Sequence, residues 1–195
     1  MSLILGDLGR IRLAEGDYAG AENAFFDAVV LTDELTAHDR DNVVWQRDHS
    51  QNLNQYGDYL LRTNQPNLAL NLYSRALVVR RRLHESDLHN LDWQRDLAAS
   101  LDRNALILLQ FDRAPEALDM LREGLDLRRD LTKTEPENAL WFDELLRSVD
   151  RVTGFLPRAE AESLIAEMQE RVLAREARAQ LTPVQADWRD RHMLK

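Results

Sequence analysis

Tryptophan occurs at 45, 93, 141 and 188, so the four indoles of this chain stand 48, 48 and 47 residues apart. The first two open the same string, Trp-Gln-Arg-Asp, and the echo persists as Trp141-Phe142-Asp143-Glu144 and Trp188-Arg189-Asp190. A fixed period of about 20 to 50 residues marks a stacked repeat protein, in which one supersecondary unit recurs and buries its apolar face on its neighbours. The 195 residues therefore read as a single repeat domain, with units near 1–41 (a truncated first repeat), 42–89, 90–137 and 138–184, and with 185–195 opening a further helix.

Counting from each tryptophan shows what recurs. Eight past it come Leu53, Leu101 and Val149, and Leu5 takes that place in the first unit. Twelve past are Gly9, Gly57, Ala105 and Thr153; fourteen and fifteen past bring Ile11, Tyr59-Leu60, Ile107-Leu108 and Phe155-Leu156. Steps of three and four residues predict one apolar stripe of a helix, helix A. A break follows at Gly16-Asp17, at Asn64-Gln65-Pro66, at Asp112 to Pro115 and at Pro157. Helix B then carries Ala21, Ala69 and Ala117, the large residues Phe25, Tyr73 and Leu121, and the small residues Ala28, Ala76 and Gly124 in register. Small residues let two helix backbones approach while the larger one fills the gap between them. The fourth unit is one residue short, and the A-to-B turn near Pro157 is the economical place for the loss. Its helix B is expected from about Ala159 to Leu181, ended by Pro183.

Asparagine stands three residues before the first three tryptophans, at Asn42, Asn90 and Asn138, as a helix N-cap. Trp45, Trp93, Trp141 and Trp188 are then expected as structural joints that cover the end of the preceding helix pair.

Hydrophobic residues make up 44% of the chain, enough for a core, and the net charge of −9 makes nucleic acid and anionic lipid poor partners. There is no cysteine, which removes disulfides, thiolate metal sites and a cysteine nucleophile and fits the cytoplasm. His84, Glu85, Asp87 and His89 have no third ligand at metal-site spacing, so no metal is expected. Phosphate loops and nucleophile elbows are missing from the sequence, so neither a cofactor nor an enzyme is expected. Arg80-Arg81-Arg82 and Arg128-Arg129 read as helix B charges that pair with acidic neighbours or face solvent, the sharper alternative being an anion patch.

Leu53, Tyr56, Gly57, Leu60, Ala69, Tyr73 and Ala76 stand at the signature positions of the tetratricopeptide (TPR) repeat, and Leu101, Ala105, Leu108, Ala117, Leu121 and Gly124 repeat the pattern. The chain thus resembles a TPR-like protein, in a long-period bacterial variant whose helix A opens with Asn-x-x-Trp-Gln-Arg-Asp. The period of 48 exceeds the family's 34, so both helices must be longer, and the family's closing proline is replaced by Arg81. The resemblance implies an all-α, right-handed α-solenoid of antiparallel helix pairs that serves as a non-catalytic scaffold for protein–protein contact.

It also implies that helix A lines a concave groove that holds a peptide or protein partner. Carried over by position, the groove residues are Arg10; Gln51, Asn54, Asp58 and Arg62; Asp102 and Gln110; Arg147 and Asp150. Asn54, Asp102 and Asp150 are equivalent and are expected to form a polar ladder suited to a basic or amide-rich segment. The alternative function is self-assembly into a homo-oligomer through the solenoid ends, where Leu5 and Leu8 lack a preceding unit, or service as a fragment of a larger multi-repeat regulatory protein.

Overall fold

The computed structural model describes residues 2–178 and 181–193. Among them there are nine helices and no strand: α1 (Ser2–Ala14), α2 (Tyr18–His38), α3 (Val43–Arg62), α4 (Pro66–Ser86), α5 (Leu91–Gln110), α6 (Ala114–Thr134), α7 (Ala139–Thr153), α8 (Arg158–Glu176) and α9 (Pro183–Met193). The fold class is an all-α solenoid of helix pairs. Helices α3, α5 and α7 start 48 residues apart, as do α2, α4 and α6, each of which runs 21 residues. No described helix is long and apolar enough to cross a membrane.

The chain divides into two compact units, Met1–Arg113 and Ala114–Lys195. In the first, α1 with α2 and α3 with α4 form hairpins, α2 packs on α3, and α4 packs on α5. Its core joins Phe25, Val29, Leu53, Tyr59, Leu60, Leu72, Tyr73 and Ile107 around Ala21, Ala69 and Ala76. In the second, α7 lies against α6, α8 and α9. Leu145, Leu146, Val149, Val152, Met168, Val172 and Trp188 are all fully buried there.

Both helix boundaries have a chemical cause that repeats. At the start of α3, α5 and α7 the N–H of Trp45, Trp93 and Trp141 donates to the side-chain oxygen of Asn42, Asn90 and Asn138 at 3.2, 3.1 and 3.2 Å. At the end of α1, α3 and α5 the chain turns through a left-handed residue: Gly16 (φ 82°), Asn64 (φ 61°) and Asp112 (φ 56°). These are the residue types that tolerate that region. The two amides at each turn reach back to free carbonyls, Gln65 to Leu60 and Asn64 to Leu61, Arg113 to Leu108 and Asp112 to Leu109, Asp17 to Arg12 and Gly16 to Leu13. That is the Schellman closure of a helix, repeated in phase.

The fourth pair departs from the expectation. Helix α7 has 15 residues where α3 and α5 have 20, because Gly154 caps it and Pro157 denies helical backbone to its predecessor. Phe155 is 44% exposed as a result, not part of a helix A stripe. Helix α8 stops at Glu176, short of Leu181, and Pro183 starts α9 instead of ending α8. The cap of α9 is Thr182, which exchanges bonds with Gln185, N–H to Oγ1 at 3.2 Å and N–H to Oε1 at 3.4 Å. Trp188 therefore sits a turn further into its helix than the other indoles, fully buried, while Trp45 and Trp93 are only half-buried.

The motif also joins successive repeats. Arg47 of the first Trp-Gln-Arg-Asp donates through Nε to Asp96 of the second at 2.7 Å. Arg80 is 7% exposed and donates to Ser50 Oγ at 3.2 Å and to the Asp96 carbonyl at 2.5 Å. Burial pushes its pKa down to about 10, Asp96 partly offsetting this, so it stays a cation at neutral pH. Arg128 is likewise buried, on the Gly124 carbonyl and Ser148, and Arg129 pairs with Glu167 at 2.5 Å. Arg80, Arg128 and Arg129 are thus held by the protein's own acceptors, while Arg82 is exposed.

Two substitutions probe this architecture. A methyl group on Gly57 would lie 2.5 Å from the Tyr73 ring. Gly57→Ala gains about 1 kcal/mol of helix propensity but overpacks the pair at about 1 to 3 kcal/mol, so a lowered urea midpoint, a net loss of up to about 2 kcal/mol, is expected. His49 occupies a position where the next repeats bury Leu97 and Leu145, with its Nδ1 3.0 Å from Thr32 Oγ1 and its Nε2 3.4 Å from Asp33, itself held by Arg75. Burial holds the imidazole below its ordinary value, with Asp33 raising it and Arg75 lowering it in lesser measure. The unfolded chain then takes up the proton first, so stability falls as pH drops below about 6.5. Thermal melts between pH 7.5 and 5 should show that loss in the parent and a smaller loss in His49→Leu.

Candidate functional site

In the first unit helices α1, α2, α3 and α5 border an open cavity of about 520 Å³. Arg10 and Leu13 of α1, Phe25 of α2, Gln55, Asp58, Tyr59 and Arg62 of α3, and Arg103 of α5 line it. Its size is that of a ligand pocket. Of the lining residues of α3 and α5, Gln55, Asp58, Arg62 and Arg103 lie 10, 13 or 17 past the tryptophans, a second helical stripe beside the apolar one to which Tyr59, 14 past, belongs.

The ring packing that closes each hairpin also builds this wall. Phe25, Tyr56 and Tyr59 form an aromatic cluster with centroids 5.6 to 6.4 Å apart. The Tyr59 hydroxyl donates to the Tyr18 carbonyl at 3.1 Å. Tyr73, seated over Gly57, donates its hydroxyl to Asp58 at 2.6 Å. Arg103 then grips the same carboxylate with Nε and Nη2 at 3.1 and 3.3 Å. Burial first, then Asp58, raises the Tyr73 phenol, so it remains a neutral donor. Burial lowers the Arg103 pKa, but the bond to Asp58 and its charge raise it by more. Asp58 is a hub that ties α3, α4 and α5 together and is spent on the protein.

The free capacity of the cavity lies elsewhere. Arg62 is exposed and makes no ion pair among the described residues. Among the described residues Arg10 pairs only with Asp7, at 3.4 Å, both side chains about two-thirds exposed; such a pair is worth about 0 to 1 kcal/mol and exchanges readily. Two arginines from facing helices are therefore available above an apolar floor of Leu13, Phe25 and Tyr59.

Of the residues expected to line a groove, Arg10, Asp58 and Arg62 come together here. Gln51 is exposed on α3 and Gln110 is exposed at the end of α5, neither in the cavity. The polar ladder does not exist as an open surface. Asn54 and Asp102 are 3% and 6% exposed. Asp150 is held by Trp188 Nε1 at 2.9 Å, Arg191 at 2.9 Å and His192 at 3.1 Å from α9. That rung is turned into packed neighbours, because an A helix touched on several sides keeps only a narrow open face. Arg147 is exposed on α7 in the second unit. Leu13, Phe25, Gln55, Tyr59 and Arg103 line the cavity but were not among the expected residues; the shared place of Gln55 and Arg103, ten past a tryptophan, was the signal that could have found those two.

No protein-family model matches the sequence, and a search of curated proteins finds no match. Solved structures do resemble it. BtubC (BKLC) from P. vanneervenii superposes with a TM-score of 0.66 at 14% identity over 93% of this chain, which spans 66% of that one, just under two thirds of its length. A Podosopora anserina putative kinesin light chain with nearly identical TPR-like repeats gives 0.60 at 14% identity, over 94% of this chain and 80% of that one. A point variant of that protein gives 0.60 at 13% identity, over 94% and 79%. These structure neighbours are helical repeat proteins, and at such identities the likeness is one of fold. Among the described residues no group of three or more His, Asp or Glu side chains is arranged to hold a metal ion.

Proposed function

We propose that this chain is a non-catalytic interaction scaffold of the cytoplasm, and that the first unit holds an extended protein segment in the cavity among its A helices. One observation carries the reading: side chains from three successive A helices, α1, α3 and α5, converge on one cavity of about 520 Å³ with an apolar floor and polar walls. A site that combines three repeats suits a chain-like ligand spanning them better than a compact metabolite. The TPR-like character of its structure neighbours supports the same class of function. Filling the floor is the direct test. Peptides selected from a displayed random library on the parent chain should lose tenfold or more in affinity for Leu13→Trp or Gln55→Trp, each checked for a normal melt. Parent affinity in both folded variants would overturn the groove.

A second reading, self-association, is favoured by a separate observation. Ile4 and Ile11 on α1 are 69% and 56% exposed. At the equivalent positions of α3 and α5, Asn52, Tyr59, Ser100 and Ile107 are at most 3% exposed, and the Asn52 amide and Tyr59 hydroxyl reach carbonyls of α2. The exposed pair is Ile4 and Ile11; Leu5 and Leu8 are half-buried. If a second copy covers this face, light scattering should show a concentration-dependent dimer that Ile4→Asp/Ile11→Asp returns to monomer. A parent monomeric at all concentrations would end this reading.

A further inference from the structure

We infer that the cavity of the first unit selects acidic segments, taking an Asp or Glu side chain between Arg10 and Arg62 with an adjacent apolar side chain on the floor below. The inference rests on the groove reading and adds the chemistry of its occupant. Charge complementarity carries it. Three arginines and one aspartate line the cavity in a chain whose net charge is −9, so the local sign opposes the global one. Asp58, the sole carboxylate of the lining, is already satisfied by two Arg103 donors and the Tyr73 hydroxyl, so it offers little to a basic ligand. Among the charged groups of the lining the unmet capacity is on the donor side; the acceptor left without a partner is a neutral amide oxygen, Gln55 Oε1, which is shielded from solvent. Arg62 has five N–H groups and no ion-pair partner among the described residues, and Arg10 has one loose and solvated partner, Asp7. An entering carboxylate needs only to displace water from Arg62 and to compete with Asp7 for Arg10. A guanidinium fork donates two parallel N–H bonds to a carboxylate, which sets its orientation as well as selecting its charge. The apolar half of the recognition comes from Leu13, whose side chain packs on the core, and from the Phe25 and Tyr59 rings.

The test uses the same displayed library with the intact chain. Enriched peptides should be acidic, with Asp or Glu beside an aliphatic or aromatic residue, and their binding should weaken as salt rises. Arg10→Glu/Arg62→Glu should lower affinity for the best acidic peptide by tenfold or more, and replacing that peptide's acidic residues by lysine should restore binding to the double variant. Enrichment of basic or uncharged peptides that Leu13→Trp still abolishes would overturn the charge selection while sparing the groove. Acidic peptides bound equally by parent and double variant would also overturn it. A library with no enrichment, or with enrichment that neither Leu13→Trp nor Gln55→Trp affects, would overturn the groove and this inference together.

Discussion

The contact between a bare stretch of helix A and a ring on helix B holds the first unit together. At Gly9 and Gly57 an added carbon would fall 2.7 and 2.5 Å from Phe25 and Tyr73, so the two backbones stand as close as an aromatic ring allows. In the following repeat the sequence places Ala105 and the smaller Leu121 at these two positions. Close-packed interiors tolerate little volume change at such points. The ring contact also sets the polar geometry. Because Tyr73 is pinned over Gly57, its hydroxyl meets Asp58, and because Asp58 is pinned, Arg103 of the next A helix is drawn to the cavity wall. The core packing and the cavity wall are successive links of one chain of contacts.

Much of this is legible in the sequence because it is written in residues with few alternatives. Left-handed turns need glycine, asparagine or aspartate, and Gly16, Asn64 and Asp112 provide them at one repeat position. Asparagine before tryptophan predicts a cap, and three are made. The tight alternation of small and large residues on helix B predicts burial, and Ala21, Ala69, Ala117 and Leu121 are all inaccessible. Each of these signals is local, and each is repeated, so chance agreement is suppressed.

What was not legible depends on which neighbour a polar face meets. Asn54, Asp102 and Asp150 share a periodicity with open groove residues, but their rung turns toward packed neighbours, which a helical wheel does not contain. Arg80 and Arg128 read as surface charge and are buried, because long guanidinium side chains reach hydroxyl and carbonyl acceptors inside. The early end of α7 is hidden for another reason: a single deleted residue is absorbed by ending one helix early and starting the next sooner, not by shortening the turn alone. Trp188 keeps the spacing while its helix starts from a different cap, so regular spacing in sequence overstates equivalence in structure.

An acidic chain with a cationic cavity involves no contradiction once the range of the forces is considered. At physiological salt a surface charge is felt over about 8 Å, so most of the net charge of −9 acts as a weak, screened repulsion on an approaching acidic segment. Inside the cavity the separation is that of contact, and at about 4 Å two unit charges interact by about 4 kcal/mol at an effective dielectric of about 20 against about 1 kcal/mol in bulk water. Desolvation consumes part of that gain, and it does so least where the cation lies at the rim and stays partly solvated in the complex, as the exposed position of Arg62 allows. The buried arginines differ in this respect. Arg80 gave up its water on folding and was compensated by Ser50 and the Asp96 carbonyl, so it has nothing left to offer a partner. Exposure with at most one loose, solvated partner, not positive charge as such, separates Arg10 and Arg62 from the arginines that hold the repeats together.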